Sequence, residues 1–367
     1  MNVADSEVIG SVLGVAGYGV CEEIGDADLI LLNTCSIRDN AEQKIYGRLD
    51  QLNAMRRGKK TLIGVVGCMA ERVKDELIKS YKVDIVAGPD TYLSLPELIA
   101  QAEMGHPAMN IELSTTETYR YIIPTRICSG KVSGYISIMR GCNNFCHYCV
   151  VPYTRGRERS RDIQSILNEV DDLVSKGFKE IILLGQNVNS YKGECDFASL
   201  LEQIANIDGD FIIRFMTSHP KDATRELVDV MASSERIAKQ FHLPLQSGSN
   251  TILKAMNRGY TVEKYLDTVG YIREKMPDVT LTSDIIVGFP GETEDDFEET
   301  LDMLERVGYD NIYSFIYSKR RGTKAAVMPN QIPEKVKKER FARMLEKQNA
   351  ISNGKNNVYL GTVQKVL

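Results

Sequence analysis

The first hundred residues alternate between short, continuously apolar runs and longer stretches with helical periodicity. The apolar runs, which predict buried strands, cover residues 28–34, 61–66 and 83–87. Helical patterns cover residues 6–14, 38–57 and 71–80. Continuous apolar strands that alternate with helices are typical of a parallel sheet covered on both faces. The pattern therefore predicts an α/β fold that begins with a three-layer parallel-sheet domain over residues 1–105.

A second alternation of strands and helices begins after residue 131. Its predicted strands are 135–139, 180–184, 211–216, 240–245, 280–287 and 311–316, and its predicted helices are 160–176, 197–207, 225–233, 262–276 and 295–306. Six strands fall short of the eight that close a barrel of this kind. We therefore expect an incomplete (β/α)6 barrel over residues 131–350. Residues 106–130 lack periodicity and predict a linker, and residues 358–363 carry a short strand pattern.

A cysteine triplet follows the first strand of the predicted half barrel. Cys142, Cys146 and Cys149 have the spacing C-x3-C-x2-C. Cysteine thiolates ligate iron–sulfur clusters, and three ligands on a four-iron cube leave one iron open to a substrate or cofactor. The spacing also suits zinc, for which His147 would be available as a fourth ligand. Position favours the cluster, because a barrel keeps its chemistry at the carboxyl ends of its strands.

Two further cysteines follow strands of the N-terminal domain. Cys35 ends the first predicted strand and Cys68 the second, and ligand sites in parallel sheets lie beyond the carboxyl ends of the strands. The pair is therefore either a set of metal ligands or two buried free thiols, which are common in protein interiors. Cys21, Cys128 and Cys195 show no such pairing and are interpreted as structural.

Polar and glycine-rich loops follow the other strands of the half barrel at the same end as the triplet. These loops contain Gly185, Gln186, Asn187, Ser218, Gln246, Gly288, Pro290 and Gly291. Glycine there allows the backbone to approach a ligand closely, although each loop taken alone also fits ordinary turn chemistry. Together they predict a ligand site around the cysteines.

Charge is distributed unevenly along the chain. The net charge is −5, yet residues 319–355 carry eleven Lys or Arg against three Glu, and arginines alternate from Arg155 to Arg161. Such local patches are the footprint of a nucleic-acid partner, although a solvated helix face is the usual alternative. The candidate RNA-binding residues are Arg155, Arg157, Arg159, Arg320 and Arg321. No apolar run approaches the about 20 residues of a membrane span. Eight cysteines are too few for a disulfide scaffold in a chain of this length, and their clustering favours metal binding or catalysis in a reducing cytoplasm.

Five stretches together resemble the radical S-adenosylmethionine methylthiotransferase family. They are residues 139–161 around the cysteine triplet, 33–38, 67–72, 185–191 and 288–293. The resemblance covers essentially the whole chain. Within the family, the context of the triplet most resembles the members that act on N6-(dimethylallyl)adenosine at position 37, next to the tRNA anticodon.

The resemblance implies a fold, cofactors and partners. Cys142, Cys146 and Cys149 would bind a radical 4Fe-4S cluster, and Cys35 and Cys68 an auxiliary one. S-adenosylmethionine would be both methyl donor and radical source, held by Tyr148 and the strand-end loops, and no side chain would act as catalytic acid or base. The implied partners are a tRNA anticodon stem-loop, a flavodoxin-like or ferredoxin-like electron donor and an unidentified sulfur donor. A C-terminal RNA-binding barrel of the TRAM type would begin at residues 351–367, and we expect a monomer.

The chain departs from the family pattern in two places. The first auxiliary cysteine of the family precedes the Met-Asn dipeptide with which this chain begins, and the terminal barrel stops after its first strand. We expect a fragment clipped at both ends, in which the auxiliary cluster lacks a ligand unless Cys21 replaces it. Three alternatives stay open: the same chemistry on threonylcarbamoyl-adenosine or a ribosomal-protein aspartate, a zinc-bearing RNA-binding protein, and a fragment that only cleaves S-adenosylmethionine.

Overall fold

The computed structural model describes residues 1–35, 39–56, 58–116, 119, 122–124 and 132–364. Cys128 and the motif residues 36–38 lie outside them. The chain divides into two compact units. The first unit comprises Met1–Gly130, Arg140–Asn143 and Val150–Arg161, and the second unit comprises Lys131–Met139, Asn144–Cys149 and Asp162–Leu367. The cysteine triplet therefore divides: Cys142 belongs to the first unit, and Cys146 and Cys149 belong to the second.

The first unit is built on a parallel sheet of four strands. In sheet order these are β1 (Leu29–Thr34), β2 (Leu62–Gly67), β3 (Ile85–Ala87) and β4 (Ala108–Asn110). Its helices are α1 (Asn2–Val15), α2 (Asp39–Met55), α3 (Cys68–Val73), α4 (Asp75–Tyr81), α5 (Leu95–Glu103) and α6 (Val151–Thr154).

Helices cover both faces of this sheet. Val66 and Ile85 pack into one apolar cluster with α1 and α5, whereas their neighbours Val65 and Val86 pack into another with α2, α3 and α4. Successive side chains of a strand point to opposite faces, so the two clusters are the two sides of one sheet. The predicted three-layer parallel arrangement is confirmed.

Two local predictions in the first unit are corrected. The helix predicted over 71–80 is two helices, α3 and α4, because Lys74 between them has a φ of 53°, which interrupts a right-handed helix. The segment predicted as a linker supplies β4 and a buried Tyr119. The hydroxyl of Tyr119 donates to the carbonyl of Pro89 over 3.0 Å and accepts a hydrogen bond from the amide of Tyr92.

The second unit contains two three-stranded parallel sheets. One is β5 (Ser133–Ser137), β8 (Glu180–Leu184) and β9 (Ile212–Phe215), and the other is β10 (Gln240–His242), β11 (Thr280–Val287) and β12 (Asn311–Ile316). The short strand β6 (Met139–Arg140) belongs to neither of these sheets and pairs with β7 (Arg159–Ser160), which is part of the first unit. A parallel bridge between Ile213 and Ile237 continues the order from β9 towards β10. The six predicted strands are confirmed, and β8, β11 and β12 have the predicted bounds.

Helices separate these strands, as the pattern predicts. They are α7 (Ile163–Ser175), α8 (Phe197–Ala205), α9 (Arg225–Ser233), α10 (Asn250–Ala255), α11 (Val262–Lys275), α12 (Glu294–Val307) and α13 (Glu334–Asn356). Five of them, α7, α8, α9, α11 and α12, begin with an Asp or Thr side chain that accepts an amide hydrogen bond from the first turn. Such N-caps fix where a helix starts, and hence where each preceding strand-end loop must finish.

The C-terminal part differs from the prediction. The basic segment after residue 333 is a 23-residue helix, α13, which extends through residues assigned above to the start of a barrel. The predicted strand at 358–363 is not formed: Asn357–Tyr359 is a turn of 3-10 helix, and the described residues after it join no sheet. No described helix is both long and apolar enough to cross a membrane.

Candidate metal and cofactor site

Strand register places Cys35 and Cys68 at neighbouring strand ends of the first unit. Thr34 of β1 pairs with Gly67 of β2, and each cysteine is the next residue along its strand. Gly67 is required there, because it has a φ of 91° and a β-carbon would lie 2.7 Å from the carbonyl oxygen of Thr34. The predicted proximity of the two strand ends is therefore confirmed.

Cys68 lies beside a buried group of charges. The Nε of Arg155 donates to the sulfur of Cys68 over 3.1 Å, and its Nη2 donates to Asp5 over 2.7 Å. Arg140 donates to the other oxygen of Asp5 over 2.9 Å. Although burial alone raises the pKa of Asp5, the two guanidinium groups outweigh it and hold that pKa at about 2. Two guanidinium groups therefore flank the carboxylate of Asp5 beside Cys68.

The predicted basic patch at residues 155–161 is corrected for three of its four arginines. Arg155, Arg159 and Arg161 are only 4 %, 6 % and 6 % exposed, and Arg159 pairs with Asp90 at 2.8 Å. Because they are buried inside the first unit, these three do not form the exposed surface that RNA binding requires. Arg157 is exposed, and its role stays a prediction.

The loop of the triplet has a defined backbone on each side. In the first unit, the amide of Cys142 donates to Gly156 over 3.1 Å. In the second unit, Asn257 donates from its side chain to the carbonyls of Asn144 and Phe145 over 3.1 Å each. Cys142 and Cys146 are buried and Cys149 is half-buried. The thiols are thus held in a shielded loop at the predicted position after β5 and β6.

Arg258 is the cation of the second unit that lies next to the triplet. Its Nη1 is 3.3 Å from the sulfur of Cys146 and 3.3 Å from the hydroxyl of Tyr148. Burial raises the pKa of Tyr148, so this phenol stays neutral. A buried guanidinium needs an anionic partner, and ligation makes a cysteine a thiolate. These surroundings therefore fit a cluster bound through Cys146.

His147 does not have the arrangement of a zinc ligand. Its Nδ1 lies 2.7 Å from the carbonyl of Ala255, and its main chain bonds to Met256 and Ala325. Within the described ranges, no three His, Cys, Asp or Glu side chains are grouped to hold a metal ion. Structural zinc needs four ligands around one ion, whereas a cube offers a separate iron to each thiolate. The zinc alternative is therefore not supported by this geometry.

Three buried polar atoms lie at the carboxyl ends of β8 and β9 without a hydrogen-bond partner among the described residues. They are Asn187 Oδ1, Ser218 Oγ and His219 Nε2. His219 accepts from the amide of Lys221 through Nδ1, and burial lowers its pKa to about 2. The neutral ring therefore carries its proton on Nε2. Buried polar groups are normally satisfied, so these atoms suit a polar ligand such as S-adenosylmethionine.

His219 was not among the residues selected from the sequence. Its signal was present in the Thr-Ser-His-Pro loop, next to the selected Ser218, but a lone histidine in a loop does not show that its ring will be buried and neutral. Gly185 and Gln186 directly follow β8, as predicted. A β-carbon on Gly185 would lie 2.5 Å from Met139.

Polar contacts with neighbouring elements hold the loops after β10 and β11 in place. Gln246 has a φ of 73° and bonds through its amide to Asp284. Ser249 donates to Asp296 of α12 over 2.6 Å. The amide of Gly288 donates to Glu292, which pairs with Arg340 of α13 at 2.7 Å. Helix α13, which is not among the helices predicted from the sequence, thus supports the loop that contains Pro290 and Gly291.

The other candidate residues are placed as follows. Arg320 is half-buried and Arg321 is exposed, in the loop after β12 and so at the same end as the other strand-end loops. Cys21 is exposed, and Cys195 is half-buried against the core of the second unit. Among the described residues, neither cysteine belongs to a group of three or more His, Cys, Asp or Glu side chains that could hold a metal ion.

Comparison with known families and proteins covers the whole chain. The profile of the radical SAM superfamily matches residues 136–304, and that of the uncharacterized protein family UPF0004 matches residues 1–88. A protein of Bacteroides fragilis named tRNA-2-methylthio-N(6)-dimethylallyladenosine synthase is 56 % identical, and the match covers 100 % of this chain and 82 % of that protein. Proteins of the same name from Phocaeicola vulgatus and Porphyromonas gingivalis are 53 % and 51 % identical over 100 % of this chain and 82 % and 81 % of theirs.

Solved structures show the same fold at low identity. The radical S-adenosylmethionine methyltransferase TsrM from Kitasatospora setae, with cobalamin and a [4Fe-4S] cluster bound, superposes with a TM-score of 0.69 at 14 % identity, covering 88 % of this chain and 74 % of that one. The cobalamin-dependent S-adenosylmethionine radical enzyme OxsB superposes with a TM-score of 0.64 at 15 % identity, covering 95 % of this chain and 54 % of that one.

Proposed function

We propose that this chain, which belongs to the family of the tRNA-2-methylthio-N6-dimethylallyladenosine synthases, transfers a methylthio group to C2 of N6-(dimethylallyl)adenosine at position 37 of tRNA. The observation that carries the proposal is the thiol loop itself. Cys146 lies there in a buried position beside the guanidinium of Arg258, which contacts no carboxylate among the described residues. That environment suits an anionic, thiolate-bound cofactor.

Cys142, Cys146 and Cys149 would hold a 4Fe-4S cluster with one iron left for S-adenosylmethionine. When bound, the two cofactors supply an electron and a 5′-deoxyadenosyl radical able to remove hydrogen from an aryl C–H bond, which no acid or base side chain does. The chain's own residues bind and orient. Asn187 and Ser218 offer buried polar atoms to the cofactor, Gln246 and Gly288 present backbone, and the buried loop excludes water. Tyr148 and the residues from Pro290 to Gly291 would complete the contacts.

Cys35 and Cys68 would ligate an auxiliary cluster in the first unit. Their adjacent strand ends and the hydrogen bond that the guanidinium of Arg155 donates to Cys68 suit an anionic cluster there. This site would hold the sulfur that becomes the methylthio group. Cys35 and Cys68 would thus hold a cluster that, when bound, supplies a sulfur atom for methylation by S-adenosylmethionine.

The substrate would be the anticodon stem-loop, since specific RNA recognition usually targets unpaired, splayed bases. Arg157, Arg320 and Arg321 are the candidate contacts of this chain to the phosphates. Residues after α13 would lead towards an RNA-binding TRAM barrel. The enzyme would work as a cytoplasmic monomer and receive electrons from a flavodoxin-like or ferredoxin-like protein.

The substrate is tested by tRNA analysis. The chain is expressed in a bacterial strain that lacks its own methylthiotransferase for this nucleoside, and tRNA nucleosides are measured by mass spectrometry. We expect 2-methylthio-N6-(dimethylallyl)adenosine to appear with the wild-type chain and not with Cys142→Ala. Methylthiolation of threonylcarbamoyl-adenosine or of a ribosomal-protein aspartate instead would reassign the substrate.

The cofactors are tested on the anaerobically reconstituted chain. About eight irons with equivalent sulfide indicate two cubes, and about four indicate the radical cluster alone. 5′-Deoxyadenosine should form with the wild-type chain and be lost in Cys142→Ala. A colourless protein that binds zinc and no iron would overturn the proposal.

A further inference from the structure

We infer that Arg258 is a positioning residue, which hydrogen-bonds the sulfur of Cys146 and raises the reduction potential of the cluster on Cys142, Cys146 and Cys149. The inference rests on the proposed function, since it requires a cluster at the triplet. It adds a role for a residue outside the cysteine loop and outside the strand-end loops that were selected from the sequence.

Hydrogen bonds from Nη2 and Nε fix the guanidinium of Arg258 in place. Its Nη2 donates to the carbonyl of Pro244 over 3.0 Å, and its Nε donates to the hydroxyl of Tyr260 over 3.2 Å. That hydroxyl is itself anchored, because it donates to the carbonyl of Leu245 over 2.7 Å. With these two sides held, Nη1 is directed at the sulfur of Cys146.

The backbone before Arg258 is equally constrained. Helix α10 ends at Ala255, and Asn257 adopts a left-handed φ of 61°. The side chain of Asn257 binds the carbonyls of Asn144 and Phe145. The turn that delivers Arg258 is therefore tied to the same loop that carries Cys146, and the N–H···S contact is not a chance approach of a mobile side chain.

The charge of Arg258 lacks a counter-ion of the usual kind. The side chain is 5 % exposed, and none of its described contacts is a carboxylate. Other buried arginines have one: Arg159 pairs with Asp90 and Arg340 pairs with Glu292. A buried cation without an anionic partner is strongly destabilising. The acceptors of Arg258 among the described residues are two phenol hydroxyls, a carbonyl and the sulfur of Cys146. Of these, Cys146 would supply the negative charge when it ligates a cluster.

This arrangement has a direct redox consequence. Reduction takes one electron from an external one-electron donor, adds one negative charge next to Cys146 and neither makes nor breaks a bond. A fixed cation and a hydrogen bond to the ligand sulfur favour the more negative, reduced form, and hydrogen bonds to sulfur are known determinants of cluster potential. Arg258 should therefore raise the potential at which the cluster accepts its electron.

The test is a redox titration followed by electron paramagnetic resonance on the reconstituted full chain. The relevant signal is the one that shifts when S-adenosylmethionine is added. In Arg258→Met, which removes the charge but keeps much of the volume, we expect the ratio of reduced to oxidised cluster at a fixed potential to fall at least tenfold, or 59 mV for one electron. Arg258→Lys should lie between Met and wild type. Arg306→Met, an exposed arginine at the end of α12, should leave the ratio unchanged.

A second measurement uses the unmutated protein and so does not depend on how a variant folds. Arginine labelled with 15N in the guanidino group is incorporated, and pulsed electron paramagnetic resonance of the reduced, cofactor-sensitive cluster is recorded. We expect a 15N coupling that disappears in Arg258→Lys. An unchanged potential in a fully loaded Arg258→Met, or no arginine coupling in wild type, would overturn the inference and leave the proposed function standing. Failure of wild type to bind any cluster would instead overturn the proposed function.

Discussion

Arg155 joins Cys68 to Asp5 inside the first unit. Its Nε lies 3.1 Å from the sulfur and its Nη2 lies 2.7 Å from the carboxylate. Its Nη1 is buried with no hydrogen-bond partner among the described residues. One guanidinium thus fixes a candidate ligand, balances a buried acid and keeps one donor available to a group bound beside the cysteines.

Replacement of Arg155 by Met should destabilise the protein by about 3 kcal/mol, because removing one partner of a buried ion pair leaves the other charge poorly compensated. The free energy of unfolding is measured by urea denaturation of the iron-free chain. Arg157→Met, on an exposed side chain two residues away, should change it by less than about 0.5 kcal/mol. Equal effects of the two substitutions would contradict a role for the Asp5 pair in stability.

His219 should make stability depend on pH between 7 and 5. The pKa of His219 in the folded chain, about 2, lies below the ordinary value of 6.5. As the pH falls through 6.5, this histidine therefore binds a proton in the unfolded chain but not in the folded chain. Stability should fall by about 1 kcal/mol between pH 6 and pH 5 from this group.

His219→Asn, whose side-chain oxygen can still accept from the amide of Lys221, should remove that part of the pH dependence. Urea unfolding of the iron-free chain at pH 7, 6 and 5 measures it, and His106→Asn, at an exposed position, serves as the control. If both variants keep the wild-type slope, His219 is not buried in the neutral form.

Gly141 and Gly177 offer a matched pair of glycine substitutions. Both have left-handed backbones, with φ of 78° and 85°, so alanine costs about 1–2 kcal/mol of strain at either position. A β-carbon at Gly177 meets open space, whereas one at Gly141 collides with the carbonyl of Arg157. Gly141→Ala should therefore destabilise more than Gly177→Ala and, because Cys142 is the next residue, should also lower the iron content after reconstitution.

Unfolding free energies and iron analysis of the two glycine variants check this expectation. Indistinguishable stability and iron content would show that the loop before Cys142 can move away from Arg157.

Arg321 should contribute about one phosphate contact to RNA binding. Arg321→Ala is expected to weaken binding of an anticodon stem-loop and to reduce the slope of log K against log salt by about 1 in magnitude. Fluorescence anisotropy at several salt concentrations measures the slope. Arg306→Ala, at the opposite end of the barrel strands, should bind as wild type does, and an unchanged slope in Arg321→Ala would exclude a phosphate contact there.

The sequence predicts best those helices and strands that are buried on one face or on both, because this burial leaves a regular pattern of apolar residues. Strands β8 and β11 are apolar runs bounded by turn residues, and helix α9 is set by the cap of Thr224. The prediction fails where features that the local pattern does not show decide whether an element forms or where it ends. The break between α3 and α4 depends on the left-handed Lys74, which no periodicity reveals, and the missing strand after α13 depends on partners that the local pattern does not specify.

The candidate site likewise has features that the sequence predicts and features that it does not. The order of cysteines along strand ends was predictable, because parallel topology brings those ends to one edge. The burial of Arg155 and Arg159 was not, since their partners Asp5 and Asp90 are separated from them by 150 and 69 positions. Arg258 and His219 were missed for a related reason: a buried charge or a neutral ring is defined by distant residues.

The first unit is assembled from three separate stretches of the chain. This limits which gene segments could be exchanged between relatives without destabilising the unit. A cassette that ends at residue 130 would encode Asp5 and Asp90 without Arg140, Arg155 and Arg159, and would leave two interior acids uncompensated. Recombination between relatives at the apparent domain boundary would mix acids of one lineage with arginines of another. The sequence from Arg140 to Arg161 should therefore be inherited together with the N-terminal region rather than with the barrel that surrounds it in the chain.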